Sequence, residues 1–343
     1  MQTQPKKLLV RLPNWVGDVV MATPVLDCLR QNYPSAEITG LMRSYVRNVV
    51  EDGPWFDRII DCNDKNTKGF RKVTLAIRDL SPEIAILLPN SIRSALTVWL
   101  GGVKAIYGYR RSGRSLLLTG GPKPFRSGGQ ILPIPMVDYY MEICRWLGLN
   151  IQDVIKPSLF ISESTHKKGE QLLNSYGIEP DDMVIGMNPG AKFGSSKCWP
   201  AEYFAELAEL LTKRFDCKIL LFTGPGEGDI ARSVIETSKA SIINTFTDKV
   251  DLALLKPLVK RCQLLITNDT GPRHYAVALD VPLVVIMGPI DPRYTASNLE
   301  KTIVLRRELD CSPCHKKSCP YDHDCMRGIL PEEAFQESEK LLT

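Results

Sequence analysis

Residues 263–289 read QLLITNDTGPRHYAVALDVPLVVIMGP, and the architecture of the chain turns on how they are parsed. The apolar run ending at Thr267 is a buried strand and Asn268–Gly271 a sharp polar turn; a helix opens beneath it, and Pro282–Met287 is a second buried strand. This strand–helix–strand unit makes parallel neighbours joined by a right-handed crossover. Asp269, Thr270, Gly271 and His274 therefore sit where a strand hands over to a helix. Helix capping explains an acid or a hydroxyl there, and glycine permits the turn. Capping leaves Gly271 and His274 unexplained, in one turn beside backbone N–H groups, which is how anion sites are made.

The alternation continues in both directions. Before residue 160, LLVRL (8–12), EITGLM (37–42), DRIIDC (57–62), IAILLP (84–89) and AIYGYR (105–110) are strand-like, separated by helical stretches such as TKGFRKVTLAIRDL (67–80) and MVDYYMEICRWLGL (136–149). Beyond it, MVIGMNPG (183–190), KILLFTG (218–224) and SIINTF (241–246) join the two strands already described. Their helices are PAEYFAELAELLTKRF (200–215), GDIARSVIETS (228–238) and DLALLKPLVKR (251–261). Strands spaced by single helices predict parallel sheets. Two such sets predict an α/β protein of two doubly wound domains, 1–160 and 161–328. A terminal helix in 329–343, PEEAFQESEKLL, either caps the second domain or crosses back to the first.

At 343 residues, 44% hydrophobic and 24% charged, the composition is that of an ordinary globular protein. Arg11, Asn14 and Asp18 interrupt the N-terminal apolar run before it resembles a signal peptide, and no run approaches the about 18 apolar residues of a membrane span. The chain reads as cytosolic, with Cys28, Cys62, Cys144, Cys198, Cys217 and Cys262 as small hydrophobes in a reducing compartment. The net charge of +4 is uneven: residues 1–160 hold 21 Lys+Arg against 13 Asp+Glu, and the remainder 22 against 26. Arg110, Arg111 and Arg114 stand beside Leu116–Leu118 in a Gly/Ser-rich loop. A charge run is usually a solvated face; with leucines beside it, this one suits an anionic amphiphile or a membrane surface. Nucleic acid is disfavoured, because residues 84–137 offer only Trp99, Tyr107, Tyr109 and Phe125 as aromatics and no recognition motif.

Open α/β sheets bind ligands beyond the carboxyl ends of their strands. There the first domain presents Gly17 and Asp18, and the second presents NPGAKFGSSKCWP, TGPGEGD and NDTGPRH. Three polar, glycine-bearing loops with Lys192 and Lys197 predict a phosphorylated ligand. GAKFGSSK lacks the G-K-[ST] ending of a P-loop, and no G-x-G-x-x-G follows a strand, which weakens NTPase and dehydrogenase readings.

Together, LPNWVGDVVMATPVL, NPGAKFGSSKCWPAEYFAELAELL, TGPGEGD, NDTGPRHYAVALDVPLVVIMGPIDP and CSPCHKKSCPYDHDCM resemble the ADP-heptose:lipopolysaccharide heptosyltransferase family, from about Leu8 to Met326 and most nearly its heptosyltransferase II branch. The resemblance implies GT-B architecture, two Rossmann-like domains with the active site in the cleft, and metal-independent inverting transfer of heptose from ADP-heptose to a lipid A-linked core. It implies that the enzyme adds the second heptose from the cytosolic face of the inner membrane. Asp18 matches the family's catalytic aspartate, Lys197 the lysine at the donor phosphates, and Glu227 the acid at the adenosine ribose. Asp269, Thr270, Gly271 and His274 match the donor turn; Pro272-Arg273 departs from the family pattern.

A sugar hydroxyl needs a carboxylate within reach to become a nucleophile, and Asp18 suits that role. Departing ADP needs positive charge, which Lys197 and the helix start at Thr270–Gly271 supply. A different acceptor within the family, or a nucleotide-sugar-binding module without catalysis, remain the alternative readings. Cys311, Cys314, Cys319 and Cys325 have zinc-compatible spacing, but the resemblance points away from a metal. Asp322-His323-Asp324 fits a metal-binding D-x-D only formally, since it follows no strand.

Overall fold

The structure, a computed structural model, describes residues 4–248 and 250–343. Two compact units form, one running to Phe160 and including Arg293–Ser297, the other comprising Ile161–Pro292 and Asn298–Thr343.

The first unit runs β1 (Lys7–Arg11), α1 (Val16–Met21), α2 (Thr23–Asn32), β2 (Glu37–Met42), α3 (Ser44–Val50), β3 (Arg58–Asp61), α4 (Thr67–Leu80), β4 (Ile84–Leu87), α5 (Ile92–Leu100) and β5 (Ala105–Gly108). A short hairpin of β6 (Arg126–Ser127) and β7 (Gln130–Ile131) precedes α6 (Met136–Trp146). Its sheet is parallel, in the order β3-β2-β1-β4-β5. In α4, Val73, Ile77 and Leu80 recur at helical spacing and bury against Leu9, Leu41 and Leu87. The helix starts where Asn66 accepts the Gly69 N–H at 2.8 Å and ends at Ser81, which adopts a left-handed conformation. Truncating Ile77 to Ala in this core costs about 2–5 kcal/mol.

The second unit comprises α7 (Glu163–Ser175), β8 (Met183–Asn188), α8 (Ala201–Arg214), β9 (Cys217–Leu221), α9 (Gly228–Thr237), β10 (Ile242–Asn244), α10 (Leu255–Arg261), β11 (Leu264–Asn268), α11 (Gly271–Ala278), β12 (Leu283–Met287), β13 (Thr302–Arg306), α12 (Asp324–Arg327) and α13 (Pro331–Leu342). Its parallel sheet has the order β10-β9-β8-β11-β12-β13. Every residue of β11 and β12 is buried, as in strands covered on both faces; LVVIM of β12 is apolar throughout, and LLITN of β11 turns polar only at its carboxyl end. The terminal helix α13 packs on α8 and the central strands of this unit. β13 was not among the expected strands; its sequence, TIVLR, lies between charged residues at a sheet edge and stays mostly half-buried.

Each order reverses direction once, between β1 and β4 and between β8 and β11. Neighbouring loops diverge there and leave a crevice at the strands' carboxyl ends. The helix that opens after β1 carries Asp18; the loops after β8 and β11 carry Lys197 and Asp269.

Candidate active site

Asparagines at the ends of β8 and β11 stitch the two loops together. Asn268 accepts the Trp199 N–H at 3.0 Å and donates to the Pro189 carbonyl at 2.7 Å. Asn188 donates to the Gly190 carbonyl at 3.2 Å and reaches the Thr270 hydroxyl at 3.4 Å. The Lys197 ammonium is thereby set against Asp269, donating to its carboxylate and its backbone carbonyl, both at 2.7 Å.

Asp269 is 5% exposed, and Arg273, 2% exposed, binds its other carboxylate oxygen at 2.8 Å. Burial alone would raise the Asp269 pKa, but Arg273 and Lys197 outweigh it and hold the carboxyl well below the usual range. Burial, reinforced by the Arg273 charge, pushes the His274 imidazole down to about 3. At neutral pH the turn therefore holds one anion, two cations and a neutral histidine, a net positive charge.

Thr270 is the N-cap of α11, yet its side chain makes no capping hydrogen bond. The capping explanation for this turn therefore fails. The first-turn amides of α11 are left without a side-chain cap, beside that positive charge and at the positive end of the helix dipole. Glu227 closes the neighbouring edge: its carboxylate accepts the Gly224 N–H at 2.6 Å and lies so near Gly190 that a Cβ there would meet it at 2.0 Å. Lys192 stands exposed on the loop after β8.

In the first unit Asp18 is half-buried in the opening turn of α1. The Tyr140 hydroxyl, carried by α6, donates to Asp18 Oδ1 at 3.1 Å. Burial and the Asp18 charge raise the Tyr140 pKa well above that of a free phenol, so it stays a donor. Arg11, at the end of β1, donates to the Leu12 carbonyl at 2.7 Å and Asn14 Oδ1 at 3.0 Å, steadying the loop that leads to Asp18.

The arginine loop needs a correction. Arg114 is 0% exposed and donates to the carbonyls of Tyr109 and Pro89, so it braces this loop from inside and cannot meet a surface ligand. Arg111 donates to the Tyr139 hydroxyl at 3.3 Å, whereas Arg110 is exposed. Sequence reasoning also missed Tyr140 and the Arg273–Asp269 pair. Tyr140 carries no local signal and looks like any aromatic on an amphipathic helix, whereas the i,i+4 spacing of Asp269 and Arg273 was a local signal for their pair.

All ten cysteines are free thiols, Cys311 exposed and Cys325 buried. Among the described residues no group of three or more His, Cys, Asp or Glu side chains could hold a metal ion. Nor is any described helix long and apolar enough to cross a membrane.

Two doubly wound parallel-sheet units of this kind make up the GT-B architecture. Residues 70–324 match the model of Glycosyltransferase family 9 (heptosyltransferase), and the chain belongs to that family. It is 26% identical to Lipooligosaccharide heptosyltransferase 2 of Campylobacter jejuni across 98% of each chain. Among solved structures it superposes on the ADP-heptose LPS heptosyltransferase II of Escherichia coli with a TM-score of 0.78, at 25% identity over 98% of each chain. A family 9 glycosyltransferase from Veillonella parvula matches with a TM-score of 0.85 and 25% identity, over 100% of this chain and 98% of the other.

Proposed function

We propose that this enzyme transfers L-glycero-D-manno-heptose from ADP-heptose to the heptosyl-Kdo2-lipid A inner core of lipopolysaccharide, the second heptose addition. The carrying observation is the net positive, uncapped start of α11 with Lys197 against Asp269, which suits a diphosphate. Lys197, Lys192 and the amides around Gly271 take the donor diphosphate, with Asp269 and neutral His274 shaping the turn; Glu227 takes the ribose hydroxyls. Similarity to heptosyltransferase 2 enzymes over nearly the whole chain supports the choice of donor and acceptor.

In the proposed step Asp18 removes the proton of the acceptor hydroxyl as its oxygen bonds to the anomeric carbon. The bond from that carbon to ADP breaks on the opposite face, inverting the configuration. Tyr140 orients the carboxylate. Negative charge on departing ADP is met by Lys197 and the α11 amides, which supply what a divalent cation supplies in other transferases. The enzyme works peripherally at the cytoplasmic face of the inner membrane, where Arg110, Arg111 and Leu116, 97% exposed, favour a lipid-borne anionic acceptor.

Incubation with ADP-heptose and core acceptors carrying no heptose, one or two tests the reading. Transfer to the one-heptose acceptor supports it. Transfer only to the heptose-free acceptor would make this the first heptosyltransferase, and donor binding without transfer to any would make it a non-catalytic module.

A further inference from the structure

Residues 311–325, rich in cysteine and lysine, have no part in the proposed chemistry, yet they consume every polar atom of one residue beside it. Ser196, 2% exposed, precedes Lys197 in the loop after β8. Its N–H donates to the Lys317 carbonyl at 3.1 Å and its hydroxyl to the Lys316 carbonyl at 2.5 Å. Its own carbonyl accepts from His323 Nε2 at 2.7 Å, which requires the proton on that nitrogen. Two residues earlier, Gly194 lies so close that a Cβ would meet the Lys317 carbonyl oxygen at 2.2 Å.

The far side of the segment is tied to the loop after β12. The Ser312 hydroxyl donates to the Gly288 carbonyl at 2.8 Å, and the Cys314 and His315 N–H groups donate to the Pro289 carbonyl at 3.0 and 2.9 Å. Cys325 and Met326 cover Gly288, where a Cβ would meet their sulfurs at 2.7 and 2.6 Å. Because β11 lies between β8 and β12, the segment straps together the two loops flanking the α11 turn.

We propose that residues 311–325 are a strap that positions Lys197, with Ser196 and His323 as positioning residues for the donor-phosphate site. The inference rests on the reading of Lys197 as a phosphate ligand. A lysine on a loop is held to catalytic tolerance only if its neighbours lock the backbone, and a displacement of about 1 Å can cost about 100-fold. Three hydrogen bonds on the adjacent residue supply that lock, and His323 makes its bond from a left-handed conformation at φ 65°.

The test uses the full-length chain, with ADP affinity by calorimetry and steady-state kinetics in ADP-heptose. His323→Ala is expected to weaken ADP binding about tenfold and raise the donor KM more than it lowers kcat, with His323→Gln, which keeps a donor, restoring most of the loss. Ser196→Ala, the milder change should His323→Ala fail to fold, is expected to weaken ADP about threefold. In a Lys197→Ala background His323→Ala should add nothing, since the strap acts through that lysine. Wild-type ADP affinity and KM in both strap variants would overturn the proposal, as would full additivity with Lys197→Ala, which marks general destabilisation. Unchanged ADP affinity in Lys197→Ala alone would instead sink the phosphate reading on which the strap depends.

Discussion

Asp18 and Asp269 each follow a strand at the switch point of their sheet, Asp18 in the helix after β1 and Asp269 directly after β11, yet they are held differently. Asp18 is half-buried, in a helix's first turn, with a tyrosine hydroxyl on one oxygen. Asp269 is buried between Lys197 and Arg273, with a cation on each oxygen. A carboxylate clamped by two cations is a poor base, because protonating it forfeits both interactions. It is an electrostatic anchor that holds two positive charges in place. The comparison teaches that a carboxylate clamped between two cations serves to assemble an anion site, whereas proton transfer needs one that takes up a proton without forfeiting such a clamp.

The largest expected effect comes from the first of the pair. Asp18→Asn should fold and bind ADP as wild type while transfer falls by about two to four orders of magnitude; near-normal turnover would erase the functional contrast. Asp269→Asn should act the other way, on the scaffold. It takes a counter-charge away from buried Arg273, a loss of roughly 3–5 kcal/mol in denaturant unfolding, and it releases Lys197, weakening ADP. A stable Asp269→Asn protein with full ADP affinity would show that the anchor is dispensable.

Tyr140→Phe removes one hydrogen bond from Asp18 and should lower kcat about tenfold with unchanged ADP affinity. An equal loss of thermal stability and no change in kcat would make Tyr140 a packing residue. The smallest effect is in mild acid. The His274 pKa lies below its unfolded value, so between about 6.5 and 3 the unfolded chain binds a proton that the folded one refuses, and stability falls as pH falls. About 1 kcal/mol should be lost between pH 8 and pH 6, and His274→Gln should flatten that slope. The depressed Asp269 acts in the same direction only further into acid, its contribution present above about pH 3.9 and lost as pH drops through its lower folded value.

Much of this was legible in the chain. The expected helices at 67–80 and within 329–343 coincide with α4 (Thr67–Leu80) and α13 (Pro331–Leu342), because their apolar residues repeat every three or four positions over several turns. The buried strands β11 and β12 and the glycine-bearing turns that end them were equally plain, since strand length and turn chemistry are local properties. The segments following β1, β8 and β11 led to Asp18, Lys197 and Asp269 without any knowledge of which lay near which.

Proximity itself was not legible. Lys197 and Asp269 are 72 residues apart and meet only because β8 and β11 are neighbours in the sheet, an order no local pattern records. Arg114 and Arg110 read alike in the sequence, but packing buried one beneath the chain and left the other in water. Asp18 acquired Tyr140 from 122 residues away, and Ser196 acquired the 311–325 strap from about as far. Periodicity and turn chemistry act over a few residues, so they define elements and the loops where ligands can bind. Which charges are paired, which are buried and which backbone is held still depends on contacts that form only when distant segments pack.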